Sequence, residues 1–517
     1  MKKIILKYYP FLPLLLLCIF YAYKAIDFPI HDFSNYYFGG RFLVDGNFNS
    51  RIYFPYEFNK AISNLGYQNI FANYAPNTPF LAFLFSPFSL LSMANAKLIF
   101  NCISIGLFAF SAYRLFSFYK INPRFTLLIP ILFLVPIKNS LLFGQVYFLL
   151  FFLLSEGWIA YKKEHWKSMS LFWSLAILLK VFPALLLLLL IFKKEWKPMF
   201  YLCLSCLFFL GISMLFTGID IWIFYLKEVL PKASNGEIAN AFVDNYQSVF
   251  MFLKQMFVFD SVENTTAIFN YPTLFSALLL VFKIGILTIG YFVSKKNSNF
   301  LLVFSYWILA MILLSPYGST YTFILLLFPF FTLLKSEISK VKKVVFCGLL
   351  LLVNNFPLSF FIENSFPISY LRLLFLVLLF GLFLLELRQK INWKIVAIFT
   401  FVPMALLLIF KKNETINSTA LLVKSPILIY DYEVKNNQLT YFYWNENGQN
   451  QASIPFKCSL VKGLSIKENQ IVSKFRKLTF DKSNKLKPML VDNKTVIYLS
   501  DYDRGIGFYT LRKIELH

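Results

Sequence analysis

Just past the first long apolar run the chain reads His31-Asp32-Phe33-Ser34-Asn35-Tyr36-Tyr37. A carboxylate partly sheltered by tyrosines and a histidine is equipped to act as a general base toward a hydroxyl at a membrane surface. Its bland alternative is a helix N-cap or an interfacial carboxylate. Lys180 opens Lys180-Val181-Phe182-Pro183 within another apolar run. A cation in mid-helix costs about 2.5–3.5 kcal/mol on insertion scales. Either the long side chain snorkels to the interface, or the charge has a task, which at a turn facing the outer leaflet is to hold a lipid phosphate. Lys283 interrupts a further run, and both readings stay open for it. Gly144-Gln145 and Asn245-Tyr246-Gln247-Ser248 bring uncharged polar groups to the same side.

Several chemistries lack their residues. There is no Walker loop, Gly-rich nucleotide turn, nucleophile elbow or zinc spacing. The three histidines, His31, His165 and His517, are too few and too scattered for a His-built metal site. Cys203 and Cys206 stand one helical turn apart without a third ligand, and Cys458 is alone, so neither a metal site nor a disulfide framework is expected. The Asp501-Tyr502-Asp503 pair falls in the C-terminal tail, away from cytoplasmic nucleotides.

The elements that must position these groups are membrane helices. Of 517 residues, 58% are hydrophobic and only 15% charged, with a mean hydropathy of +0.62. That excludes a soluble enzyme and a disordered chain, and leaves an all-α polytopic membrane protein with about 12–13 transmembrane helices over residues 1–411. The net charge of +24 sits in short clusters between apolar runs, the positive-inside pattern, rather than in a nucleic-acid footprint. Met1-Lys2-Lys3 and the apolar stretch after it read as an uncleaved first span, about Ile5 to Ala25, with the N-terminus in the cytoplasm. Basic residues flank Phe125–Tyr161 and Trp166–Phe192 on both sides, so each run is expected to fold back on itself. The turns would lie at Lys138–Gln145 and Lys180–Pro183. The segments 27–75 and 218–272 carry more acidic than basic residues and are expected outside. Further spans are expected at about 96–119, 198–217, 273–293, 300–316, 319–334, 344–361, 369–387 and 395–410; Lys411 and Lys412 sit awkwardly for an external tail.

Residues 412–517 change character. Ile427–Tyr430, Leu439–Trp444, Val496–Leu499 and Gly507–Leu511 are short β-branched and aromatic runs between Asn, Lys, Gly and Asp, which predicts a small extracytoplasmic β-rich domain.

The order of these motifs resembles glycosyltransferase family 87, within the C-type superfamily of integral-membrane glycosyltransferases. The resemblance runs through Asp32, Tyr36-Tyr37, Gly46, Tyr53, Tyr74-Ala75-Pro76, Gly144-Gln145, Lys180-Val181-Phe182-Pro183 with the basic loop Lys193–Lys197, Asn245–Ser248 and Ser315-Pro316. It covers roughly residues 1–340. The family's Ser-Pro turn often continues with Trp and His; here Tyr317-Gly318-Ser319-Thr320-Tyr321 follows, so Tyr321 would at best replace that His.

The resemblance implies transfer of a sugar, commonly mannose, from a polyprenyl-phosphate donor to a glycolipid or polysaccharide acceptor on the outer face of the cell membrane. Asp32 would be the base of an inverting reaction. Lys180, with Arg41 and His31, would hold the donor phosphate, and Gln145 and Gln247 would join the donor site. No cofactor or metal is expected, membrane lipids are partners, and nucleic acid is not. The competing readings are a transporter or flippase, for which inverted repeats are expected but none is visible, a polymerase or ligase of lipid-linked glycans, and a scaffold presenting the tail.

Overall fold

The computed structural model describes residues 9–243, 245–296, 299–387, 391–410, 420–423, 428–445, 448–456, 460–461, 464–473, 476–491 and 495–515. The Met1-Lys2-Lys3 start, Asp244, Arg388, Lys390, Lys411, Lys412, Cys458 and His517 lie outside the described residues.

Helices dominate as far as Phe410, and strands follow from Ala420. Four helices are long and apolar enough to cross a membrane: Met93–Phe118, Trp196–Thr217, Pro272–Lys296 and Ile368–Leu387. A fifth candidate is the pair Pro123–Leu132 and Leu134–Leu142, bent by 69°. Six further apolar helices have only 10–17 residues. Among the described residues, therefore, four helices, or five with the bent pair, have the length of a full crossing, against an expected 12–13 transmembrane helices that include short hairpin arms. A helix of 10–17 residues rises about 15–26 Å, short of a hydrocarbon core of about 30 Å.

Prolines explain the breaks. A proline inside a helix removes one hydrogen bond and pushes on the carbonyl four residues back. Pro136 stands four residues after Leu132, where the first arm stops, and Pro183 four after Leu179, where Trp166–Leu179 stops. The two expected fold-backs are present. Tyr147–Lys162 and Leu185–Lys193 both finish at one ring, with Lys162 Nζ 3.9 Å and Lys193 Nζ 4.1 Å from the centroid of Phe300. At the opposite end of these helices, Lys180 stands 6.0 Å from the ring of Tyr147. Trp166–Leu179 thus rises beside Tyr147–Lys162, and Leu185–Lys193 returns. The turn before Tyr147 is equally well placed, because Trp158 Nε1 donates to Tyr119 Oη at 2.5 Å and ties the end of Met93–Phe118 to the Lys162 end.

The tail builds a five-stranded antiparallel sheet in the order Ala420–Leu421, Thr510–Glu515, Thr495–Ser500, Lys485–Val491, Leu460–Val461. A meander of Leu428–Lys435, Gln438–Asn445 and Gly448–Pro455 accompanies it, with a smaller sheet from Leu464–Lys467, Gln470–Ser473 and Arg476–Lys477. One expected strand needs correction: of Gly507–Leu511 only Thr510 onward is strand. Gly507 takes φ +72°, and its neighbours leave the sheet to pack on the helical part. There Phe508 meets Phe71, and Tyr56 stacks on Tyr430 at 4.3 Å. The loop is also pinned by charge: Lys232 pairs with Asp501 at 2.9 Å, Lys254 with Asp503 at 2.8 Å, and Arg504 with Glu263.

Close helix approach holds the first hairpin. A Cβ on Gly157 would lie 2.2 Å from Cδ1 of the buried Trp173, so only glycine lets Tyr147–Lys162 and Trp166–Leu179 meet at this distance. Gly157→Ala should lower the thermal midpoint of the purified protein in detergent, by the equivalent of about 1–3 kcal/mol for overpacking. Gly106, with nothing within 4 Å of its added Cβ, should tolerate the same change. Equal midpoints for the two variants would show that this contact does not constrain the hairpin.

Candidate active site

Asp32 occupies the position before helix Phe33–Val44, yet its side chain makes no capping bond. Gln145 Nε2 donates to Asp32 Oδ2 at 2.5 Å instead. Tyr36 Oη, one helical turn on, donates to Gln145 Oε1 at 2.6 Å. The amide therefore bridges the carboxylate and the phenol, two groups from one helix, across more than a hundred residues of sequence.

Gly144 delivers that amide. Helix Leu134–Leu142 ends with Gly144 N–H donating to Leu141 O at 3.2 Å and Gln145 N–H to Ser140 O at 2.8 Å. Gly144 itself takes φ +62°, a conformation glycine adopts without penalty. Its bare Cα lets the turn lie on Phe33, whose Cβ would be 2.9 Å from an added methyl.

Lys180 comes from the broken turn after Trp166–Leu179. Its Nζ donates to Asn77 Oδ1 at 3.0 Å and lies 5.8 Å from the centroid of the Tyr36 ring. The Tyr74–Thr78 segment that presents Asn77 is fastened on several sides. Tyr53 Oη donates to Asn77 O at 3.0 Å, Tyr74 Oη to Thr78 O at 2.9 Å, and Thr78 Oγ1 to Leu178 O at 2.6 Å. Burial pushes the Asp32 carboxyl above its usual range. The amide of Gln145, the Lys180 charge, His31 and a hydrogen bond from Tyr321 oppose that shift without cancelling it. A buried carboxyl with a raised pKa is a better proton acceptor than an exposed one once ionised.

A cavity of about 510 Å³ opens beside this cluster. Lys180, Tyr147, Tyr246 and Tyr321 line it; Asp32 does not line it, and is joined to it through the charge of Lys180 and a hydrogen bond with Tyr321. Val181, Phe182, Leu185, Leu287, Met311 and Leu314 make an apolar wall that includes Lys283. Asn73, Lys232, Ser234 and Glu237 line a polar part, completed by Gly505 and Ile506 of the tail.

Of the residues singled out in the sequence, Asp32, Gln145 and Lys180 converge. His31 is adjacent but exposed, at φ +38°, with its ring 5.2 Å from that of Phe143. Two others are not brought to the cluster. Arg41 lies about 14 Å further along the helix at 1.5 Å per residue, and pairs with Asp45 at 2.9 Å. Gln247 is buried and donates to Ser369 O at 2.9 Å, so its backbone neighbour Tyr246 reaches the cavity instead. Asn77, Tyr147 and the tail residues were not singled out. Asn77 had a signal, its place directly after Tyr74-Ala75-Pro76, whereas Gly505 and Ile506 had none.

No curated protein and no solved structure matches the chain. Residues 75–316 match the model of glycosyltransferase family 87. That stretch carries Gln145, Lys180 and most of the cavity wall, while Asp32 precedes it. The helical membrane part with its β-rich tail fits the C-type glycosyltransferase fold, and its segment 75–316 is similar to glycosyltransferase family 87, which supports a membrane glycosyltransferase.

Proposed function

We propose that this membrane glycosyltransferase moves a hexose, mannose being the first candidate, from a polyprenyl-phosphate carrier to an acceptor hydroxyl on the outer face of the cell membrane. The observation that carries the reading is the meeting of Asp32, Gln145 and Lys180 beside a cavity with one apolar and one polar side. Lys180 has three N–H donors and gives one to Asn77. Its ammonium and its aromatic neighbours suit a phosphate whose prenyl chain lies along Val181, Phe182 and Leu185.

In this reading the acceptor hydroxyl gives its proton to Asp32 as its oxygen attacks the anomeric carbon. The bond from that carbon to the phosphate oxygen breaks on the opposite face, and the configuration inverts. The leaving group is a lipid monophosphate, stabilised electrostatically by Lys180 and needing little protonation. One carboxylate is enough, unlike the pair required for glycoside hydrolysis. Gln145 and Tyr36 are positioning residues that hold the carboxylate toward the cavity. Residues 1–411 would carry this chemistry and 412–517 would stand outside. The basic Lys162 and Lys193 ends, opposite Asp32, support a cytoplasmic placement for that side.

With purified protein and a panel of polyprenyl-phosphate sugars, Asp32→Asn should slow transfer by about 10²–10⁴-fold, the usual worth of a general base, while donor Kd holds. Wild-type transfer rates in that variant would remove the base assignment. Lys180→Ala should raise donor Kd about 10- to 100-fold, the worth of a charge-assisted hydrogen bond; unchanged affinity would end its phosphate role. The base works only when unprotonated, so kcat/KM should climb with pH through a midpoint above the ordinary Asp value, because burial raises that carboxyl. Losing the Lys180 cation, which favours the charged form, should move the midpoint higher still. A limb at the ordinary Asp value in both proteins would contradict a buried base.

A further inference from the structure

The tail loop does more than dock. Asp501 is fully buried, and its carboxylate accepts from Asn484 N at 2.8 Å, Asn484 Nδ2 at 2.7 Å and Gly507 N at 2.9 Å while pairing with Lys232. Gly505 N–H donates to Ile238 O at 2.5 Å, and Arg504 Nη1 to Ala239 O at 3.3 Å. These bonds press Gly505 and Ile506 against the edge of the cavity that Asn73, Ser234 and Glu237 also line. Charges at this edge are compensated, since Lys232 lies 3.5 Å from Glu237 as well as 2.9 Å from Asp501. Among the described residues, Lys180 and Lys283 are lining cations that form no salt bridge, Lys180 feeling the Asp32 charge at longer range, and both stand with the apolar wall. The cavity thus has a cationic, apolar side suited to a lipid phosphate and a charge-compensated polar side suited to sugar hydroxyls.

We propose that the tail segment Asp501–Phe508 forms the wall of the acceptor half of the cavity, and that Ile506 sets the size of the neutral glycan head group admitted there. The proposal rests on the transferase reading above for the identity of the two halves. It makes the β-rich tail, which lies beyond the segment matched to the family, a working part of the site.

The test uses the full-length protein with a short-chain polyprenyl-phosphate mannose as donor and octyl α-mannoside as a neutral acceptor. Ile506→Trp fills the polar side and should raise acceptor KM at least tenfold while donor Kd, read by direct binding, shifts less than twofold. Ile506→Ala enlarges it and should raise the kcat/KM ratio of an octyl disaccharide over the octyl monosaccharide severalfold. An unchanged acceptor KM together with an unchanged ratio, or a donor Kd that moves as much as acceptor KM, overturns the wall assignment. Failure of the transferase reading looks different, because wild type would then transfer from no donor in the panel. The wall is still testable in that event: in a chain with its six native cysteines replaced by serine, Ile506→Cys should react with a water-soluble maleimide at least fivefold more slowly in the presence of octyl α-mannoside. Equal rates with and without the glycoside would sink the proposal.

Discussion

A carboxylate and an ammonium held half-buried near each other, Asp32 and Lys180, set the terms for the rest of the helical part. Taking such charges out of water costs several kcal/mol for each ion unless hydrogen bonds and the opposite charge compensate. The chain compensates with partners from separate segments: Gln145 and Tyr321 for the carboxylate, Asn77 and two tyrosine faces for the ammonium. Because each partner arrives from a different part of the sequence, the polar cluster also registers the helices against one another. A shift of one turn along any of them would leave a buried charge without its partner.

That requirement accounts for the broken helices. A straight membrane helix satisfies its backbone along the segment and leaves free polar groups only at its two ends, near the interfaces. Stopping Leu134–Leu142 at a left-handed glycine and Trp166–Leu179 ahead of Pro183 exposes Gln145 and Lys180 at one level. Irregular backbone at such depth is tolerated where it is buried in protein or lines a cavity, and here it does both. The Thr78 hydroxyl, bonded to the Leu178 carbonyl, satisfies part of the backbone freed by the second break.

The tail closes the same site from the other direction. Its sheet is an ordinary antiparallel arrangement, but the loop between Thr495–Ser500 and Thr510–Glu515 is committed to the helical part. Three charge pairs and two backbone contacts hold it there. Lys254 is almost wholly buried, and a buried cation without Asp503 would be strongly destabilising. The pairs therefore make the docked position of the loop specific, and with it the shape of the polar side of the cavity.

From the sequence by itself came the helical membrane part, the β-rich tail and the candidate residues Asp32, Gln145 and Lys180. Apolar run length, flanking charge and proline position are local properties, and they report which segments leave water and where they break. Asp32, Gln145 and Lys180 were legible for the same reason: each is a polar group where hydrocarbon would reject it. Arg41 and Gln247 show the limit of that logic. A polar residue near a site in sequence can turn toward a local partner, as Arg41 does to Asp45 and Gln247 to the Ser369 carbonyl. Only the tertiary structure decided the number of full-length helices, the bridging of Asp32 to Tyr36 through Gln145, and the entry of Gly505 and Ile506 into the cavity wall. Those features depend on which surfaces meet across hundreds of residues, and an aliphatic Ile506 carries no sign in its own type that a distant cavity needs it.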